Sequence, residues 1–307
     1  MEQNYPAGVY QGYHKAILFM IISYLSIAIM GVFVKIASVT IPPTEILFFR
    51  FFIGLLFTLP LIIKDKGFSF SVSQPGYFAL RNIAGLLSML LMFYSLKYLP
   101  VSTSVLLMNT SSFFVPLFVF MLFGEKTALS IILFTVVGFV GVYIVSLSPQ
   151  EEISVFYILI GLAGAAFAAL AYIGINQLSK HHSSLQIVFW FYLMCSLILP
   201  LVSGYQWVIP SWHESGLLIM VGLFGLIFQL CITRALKSKN ITAVTPFIFT
   251  GVIFATVLDW LIWGNTPATQ FWLGATVIIV SVSMLALLKN KQVGPPVRPA
   301  EGTDSTN

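Results

Sequence analysis

The sequence predicts an all-α integral membrane protein: ten transmembrane helices built from two inverted five-helix repeats. Three observations carry that prediction. Only 8% of the 307 residues are charged and 58% are hydrophobic, with a mean hydropathy of +0.97. An ordinary soluble domain is about 25% charged. The apolar runs are long and continuous instead of alternating, and hydrocarbon demands that every backbone group be paired, so they read as helices. Finally, the chain matches itself at a fixed offset of 140 residues without a gap. Leu59-Pro60-Leu61 falls on Leu199-Pro200-Leu201, Gly85 on Gly225, Leu96-Lys97 on Leu236-Lys237, Thr110 on Thr250, Phe114 on Phe254 and Gly124 on Gly264. Each match alone is weak; the constant offset makes them a duplication.

The elements follow in order. A polar segment, residues 1–14, precedes the first span, 15–36, whose apolar run is too long for a signal-peptide core and is expected to stay in the membrane. The second and third spans are 45–63 and 78–98, the latter ending before the Leu99-Pro100 turn. The fourth, 102–123, ends at Gly124 and the fifth is 129–147, which closes a first repeat over 15–148. An acidic external linker, 149–153, leads to the second repeat, 154–288. Its spans are 154–178, 186–202, 214–235, 243–263 and 271–288. The sixth carries Gly161, Gly164, Ala165 and Ala168, small residues that favour tight helix contact. The tail, 289–307, is rich in Pro, Gly and polar residues and is expected to be a disordered cytoplasmic segment.

Loop charge sets the orientation. The side holding both termini carries twelve of the fifteen basic residues, whereas the other keeps Lys35, Arg50 and Lys97 beside Glu45, Glu151, Glu152 and Glu214. Both termini are therefore expected in the cytoplasm of a bacterial inner membrane. Five spans are an odd number, so the second repeat enters upside down, the architecture that alternating access requires.

Ionisable groups inside spans mark function by default. Lys35, Arg50 and Asp259 all fall toward the outer side, while their repeat equivalents, Ile175, Trp190 and Val119, are apolar. This predicts a charged outer vestibule in which Arg50 grips a substrate anion or Asp259. The bland alternative is snorkelling, with Glu45 as a local partner. In the third span Arg81, Gly85, Ser88, Met92 and Ser95 form a small, partly polar stripe that reads first as helix packing, with Arg81 snorkelling to the cytoplasmic face. In the ninth, Thr245, Phe249, Thr256, Asp259 and Trp263 share a face that must point inward. Asn109 and Gln229 are amides near mid-span, where each needs a helix or a cavity as partner. Tyr24, Tyr94 and Tyr172 offer an apolar ring and a hydroxyl. Substrate binding or gating is thus assigned to Tyr24, Lys35, Arg50, Arg81, Tyr94, Asn109, Tyr172, Gln229 and Asp259. Cys195 and Cys231 read as buried small hydrophobes, and His181-His182 as a solvated turn. Five tryptophans, Trp207, Trp212, Trp260, Trp263 and Trp272, read as an interfacial belt.

The run Pro42-Pro43-Thr44-Glu45 with Phe48-Phe49-Arg50 resembles the loop and second helix of EamA-type transporters of the drug/metabolite transporter superfamily. Gly85 to Lys97, Leu99-Pro100, Pro116 and Gly124-Glu125-Lys126 resemble that family's third and fourth helices, and Gly138 and Gly141 its fifth. The second half departs from the pattern: Asn265 stands where the family's Gly-Glu often repeats, and Thr256 where Pro116 would fall. The resemblance implies a ten-helix carrier whose first four helices in each half line a central cavity. The fifth helices are then peripheral, leaving the fifth and tenth spans as the place for a homodimer contact. The pattern is most similar to the S-adenosylmethionine uptake branch.

No phosphate loop, His-Glu-x-x-His or nucleophile elbow occurs in the chain, so neither an enzyme nor an ATP-driven pump is expected. No cofactor, metal or nucleic acid is implied. The expected partners are a small-molecule substrate and the lipid bilayer. The reading is a secondary carrier for a small polar or zwitterionic metabolite, an amino acid or an S-adenosylmethionine-like compound. Its rivals are an amino-acid or drug exporter of the same fold and a non-transporting membrane scaffold or sensor.

Overall fold

The computed structural model describes residues 7–65, 68–124, 129–147, 154–202, 207–235 and 245–292. Among these there are helices and no strands: α1 (Ala7–Ala37), α2 (Pro43–Lys64), α3 (Pro75–Tyr98), α4 (Val101–Asn109), α5 (Ser111–Phe123), α6 (Leu129–Ser146), α7 (Val155–Leu178), α8 (Ser184–Val202), α9 (Trp212–Ala235), a 3-10 turn (Thr245–Phe249), α10 (Thr250–Trp263) and α11 (Thr269–Gln292). Seven stretches are long and apolar enough to cross a membrane, and three shorter apolar helices, Ile132–Ser146, Phe247–Trp263 and Thr269–Leu285, accompany them. The expected 149–153 linker, Glu125-Lys126, Leu236-Lys237 and the tail beyond Gln292 lie outside the described residues.

Proline and glycine punctuate the bundle as their backbone preferences dictate. Pro43 and Pro75 open α2 and α3, where a missing N–H costs nothing. Gly124 and Gly264 close α5 and α10 with the same left-handed φ of 69°, each returning its N–H to the last turn, at Phe120 and Trp260. Two boundaries differ from expectation. α1 already begins at Ala7, inside the segment read as a polar leader to the first span, and α11 continues to Gln292, into the segment read as tail.

The fourth and ninth spans are not continuous helices. The fourth breaks at Thr110, where the backbone N–H turns to the Leu107 carbonyl and the hydroxyl takes the same carbonyl at 2.5 Å. The ninth passes from a 3-10 turn into α10 at Thr250, whose hydroxyl takes the Phe247 carbonyl at 2.7 Å. The duplication therefore repeats an irregularity as well as the helices. Asn109 joins the two breaks by donating to the Ile248 carbonyl at 3.4 Å.

Packing follows the same exchange. α1 lies along α9 as α3 lies along α7, while α2 crosses α8, α4 faces α10 and α6 lies against α11. Exchanging the helices of the first half, α1 to α6, for those of the second, α7 to α11, maps these contacts onto themselves. The small residues of α7 let it close on α3, as expected from their spacing. One buried cluster runs through the bundle, from Met20 and Ile27 on α1 to Phe228 on α9 and Val282 on α11. Large apolar side chains on the outside, such as Leu18, Ile63, Met121, Val136 and Leu261, face outward as a bilayer requires. Trp212, Trp260 and Trp272 are more than half exposed, as an interfacial belt needs.

One loop reading is corrected. His182 is buried, not solvated, and its Nε2 meets both the hydroxyl and the carbonyl of Ser73, at 2.8 and 3.0 Å. Gln186 holds Ser71 in the same way, donating to its carbonyl at 2.6 Å. Phe68 and Phe70 pack edge to face on Phe189. The segment before α3 is thus folded over the end of the bundle.

Candidate functional site

A small cavity lies where α3, α4, α7 and α9 meet. It has room for about one water-sized group, at about 20 Å³. Arg81, Gly85, Ser88 and Met89 from α3, Met108 from α4, Ala168, Ala171 and Tyr172 from α7, and Phe228, Gln229 and Ile232 from α9 line it. Both halves of the chain supply its wall. The expected stripe on the third span therefore divides. Arg81, Gly85 and Ser88 face the cavity, whereas Met92 and Ser95 pack inward, with Ser95 beside Ser104 at 3.4 Å.

Arg81 does not snorkel. It is 3% exposed, and its guanidinium stacks on the Phe191 ring, 3.8 Å from the centroid. The segment before α3 is held across that end of the bundle by His182 and Gln186. Gly85, one turn on, is required for this placement, since a Cβ there would collide with Arg81 Nη1. Arg50 is fully buried on α2 and reaches the matching glycine of the other repeat: a Cβ on Gly225 would sit 2.8 Å from Arg50 Nε. The repeat-related glycines Gly85 and Gly225 thus each make room for one arginine. Tyr192 donates to the Gly225 carbonyl at 3.0 Å and completes that wall.

Several polar atoms here lack a hydrogen-bond partner among the described residues. They include Arg50 Nη1 and Nη2, Arg81 Nε, Asn109 Oδ1, the Tyr172 hydroxyl and Thr256 Oγ1. Of these residues Arg81 and Tyr172 line the cavity; buried polar atoms are normally paired, so these two leave capacity for a bound group. The Tyr24 ring packs edge to face on the cavity residue Phe228, 6.3 Å between centroids. Gln229 is buried and lines the cavity, while Asn109 sits at the helix break outside the lining. Tyr94 is half-buried and also lies outside the lining.

Of the expected outer cluster, Lys35 and Asp259 meet at the Leu99-Pro100 turn, whereas Arg50 packs apart from both, against Met30 and Phe51. Asp259 accepts the backbone N–H groups of Val101 and Ser102, at 3.2 and 2.8 Å, and so caps α4. A carboxylate at a helix N-terminus satisfies free donors and complements the dipole. Lys35 donates to the Leu99 carbonyl at 3.2 Å and lies over the Trp263 ring at 5.1 Å. Glu45 is no partner for either cation; it accepts the Val208 N–H at 3.1 Å. Sequence reasoning missed Phe191, whose ring stacks on Arg81, and Tyr192, which packs on Phe51 and Phe191. The apolar run of the seventh span gives no signal for them. Cys195 and Cys231 are free and buried.

Apolar helices from two repeats, closed round a small, mostly apolar cavity with Arg81, Ser88, Tyr172 and Gln229 in its wall, are the construction of a membrane transporter. The chain belongs to the EamA-like transporter family, whose profile matches twice, over residues 14–147 and 155–287. It is 30% identical over 277 residues to the pseudopaline exporter CntI of Pseudomonas aeruginosa, covering 90% of this chain and 97% of that protein. It is 24% identical over 285 residues to an S-adenosylmethionine uptake transporter of Rickettsia prowazekii, covering 92% and 95%. It is 25% identical over 281 residues to a riboflavin transporter of Vibrio cholerae, covering 90% and 94%. A solved crystal structure with 16% identity superposes with a TM-score of 0.64, over 91% of this chain and 99% of that one, and shares the fold.

Proposed function

We propose that this protein is a secondary carrier that moves a small polar or zwitterionic organic metabolite by alternating access. One observation carries the reading: a cavity walled by both halves of the chain and faced by Arg81, Tyr172 and Gln229. At about 20 Å³ that cavity is too small for a metabolite, so loading requires the surrounding helices to part. The seven long spans and three shorter apolar helices support ten crossings. The exchange symmetry of the packing, with five crossings in each half, supports an inverted repeat about an axis in the membrane plane. Loop charge supports cytoplasmic termini in a bacterial inner membrane. The peripheral pair α6 and α11 keeps an exposed apolar face, including Leu133, Val136, Val140 and Leu273, for lipid or a second copy.

Export is the favoured direction. The chain shares 30% identity with the pseudopaline exporter and 24% with the Rickettsia prowazekii uptake protein. Counterflow in proteoliposomes tests the carrier, with labelled amino acids, S-adenosylmethionine and riboflavin supplied in turn. Accumulation of one of them against empty liposomes is expected, with loss in the Arg81→Gln variant. Equal accumulation in empty liposomes for all of them would leave the scaffold reading in its place.

A further inference from the structure

Arg50 and Arg81 are 0% and 3% exposed, and neither is joined to a carboxylate among the described residues. Arg50 Nε donates to the Met30 sulfur at 3.3 Å, a weak acceptor, and its two terminal nitrogens have no partner. Arg81 Nε is likewise unpaired, and its side chain lines the cavity. The two cations share one aromatic box. Arg50 lies 4.8 Å from the Phe51 ring and Arg81 3.8 Å from Phe191, and those two rings meet edge to face at 5.0 Å. Tyr192 packs on both rings, 5.4 Å from Phe51 and 6.0 Å from Phe191. Aromatic faces offset part of the cost of burying a cation, but they leave Arg50 Nη1 and Nη2 and Arg81 Nε without an acceptor among the described residues.

Among the described residues, three carboxylates in and beside the spans are committed elsewhere. Asp259 caps α4, Glu45 holds Val208, and Glu214 accepts the Ser211 N–H and the Thr40 hydroxyl. Two like charges held close together in a medium of low dielectric repel, and each also loses its hydration. An arrangement that keeps both, with a glycine hollowed out for each, is best satisfied by anions that come and go. Arg suits this task because its fork receives a carboxylate through two parallel bonds.

We propose that the substrate carries two separate anionic groups, carboxylates in the first instance, one received by Arg81 at the cavity and the other by Arg50 behind it. This rests on the carrier reading and narrows its substrate class. A singly charged or neutral metabolite would leave one guanidinium stranded, so the site selects by charge count as well as size.

Thermal unfolding of the purified full-length protein tests this with matched probes: C4 to C8 α,ω-dicarboxylates, their half-amides and their diamides. The unfolding midpoint is expected to rise most with a diacid, less with its half-amide and not with the diamide. Arg50→Gln is expected to weaken diacid binding about tenfold or more, down to the level of the half-amide. Arg50→Lys is expected to recover part of the loss, since the charge returns without the fork. If Arg50→Gln does not fold, the ranking on the unaltered chain and on Arg50→Lys decides. A half-amide, a diamide or inorganic phosphate that stabilises as well as every diacid would overturn the proposal. Flux is read separately. Diacid ranking without flux keeps the site and removes the carrier; flux of a neutral or singly charged metabolite without that ranking keeps the carrier and removes the site.

Discussion

Charges at the rim of the bundle and charges at its centre are treated in opposite ways. At the rim, Asp259 and Lys35 spend their hydrogen bonds on the backbone at either side of the Leu99-Pro100 turn, on Val101, Ser102 and Leu99. At the centre, Arg50 and Arg81 are more deeply buried than Lys35, yet three of their nitrogens are unpaired. Burial alone does not separate structural from functional charge, because Asp259 is also buried. What separates them is whether the fold itself completes their hydrogen bonding. A carboxylate whose acceptors are filled by backbone N–H groups has little capacity left for a substrate. A guanidinium with idle donors holds that capacity in reserve.

The largest expected effect lies at the centre. Arg81→Gln is expected to cut transport at least about 30-fold, in line with the roughly 2–5 kcal/mol lost when a buried charge contact is broken. Its thermal stability should hold or rise, because a stranded cation is removed. Flux at equal membrane level and a melting curve measure the two separately, and a fall in both would place Arg81 with the rim charges. Asp259→Ala should do the reverse: it uncaps α4, costs roughly 1–3 kcal/mol of stability for the freed buried N–H groups, and leaves transport per folded molecule intact. Transport lost at unchanged stability would make Asp259 part of the site. Next comes Gly85→Ala, where the added methyl displaces the Arg81 fork. Half-saturation for transport should rise about tenfold, or roughly 1.4 kcal/mol. Gly76→Ala, whose Cβ would meet nothing, is the matched control. Lys35→Met should have the smallest effect, below about 1 kcal/mol in unfolding, since it removes one half-buried hydrogen bond and an aromatic contact.

Much of the fold was legible because it follows from local rules. Continuous apolar runs gave the helices, and the offset that pairs Gly124 with Gly264 pairs two left-handed helix ends of equal φ. The same offset pairs Gly85 with Gly225, but the reason is spatial: each meets an arginine, and the Arg50 that meets Gly225 is 175 positions earlier in the chain. Asp259 was legible as an inward-facing residue on the ninth span. Its use was not, because its targets lie 157 and 158 residues away. Arg81 was misplaced because a basic residue near a span's end ordinarily reaches water. Here His182 and Gln186 fasten residues 71 and 73 across that end, and no local pattern announces it. The breaks at Thr110 and Thr250 fell on matched residues, yet an uninterrupted apolar run concealed them.

Those two breaks limit how the molecule can move. Backbone that has left the regular helical pattern finds no partner in hydrocarbon and is tolerated only where protein or water covers it. α4 and α10 cover each other, and Asn109 ties one interruption to the carbonyl of Ile248 in the other. Rolling either helix toward lipid would bare its irregular turn on the one surface that cannot accommodate it. If the proposed carrier alternates, the crossing of α4 and α10 is the part of the bundle expected to stay fixed while the unbroken helices move around it.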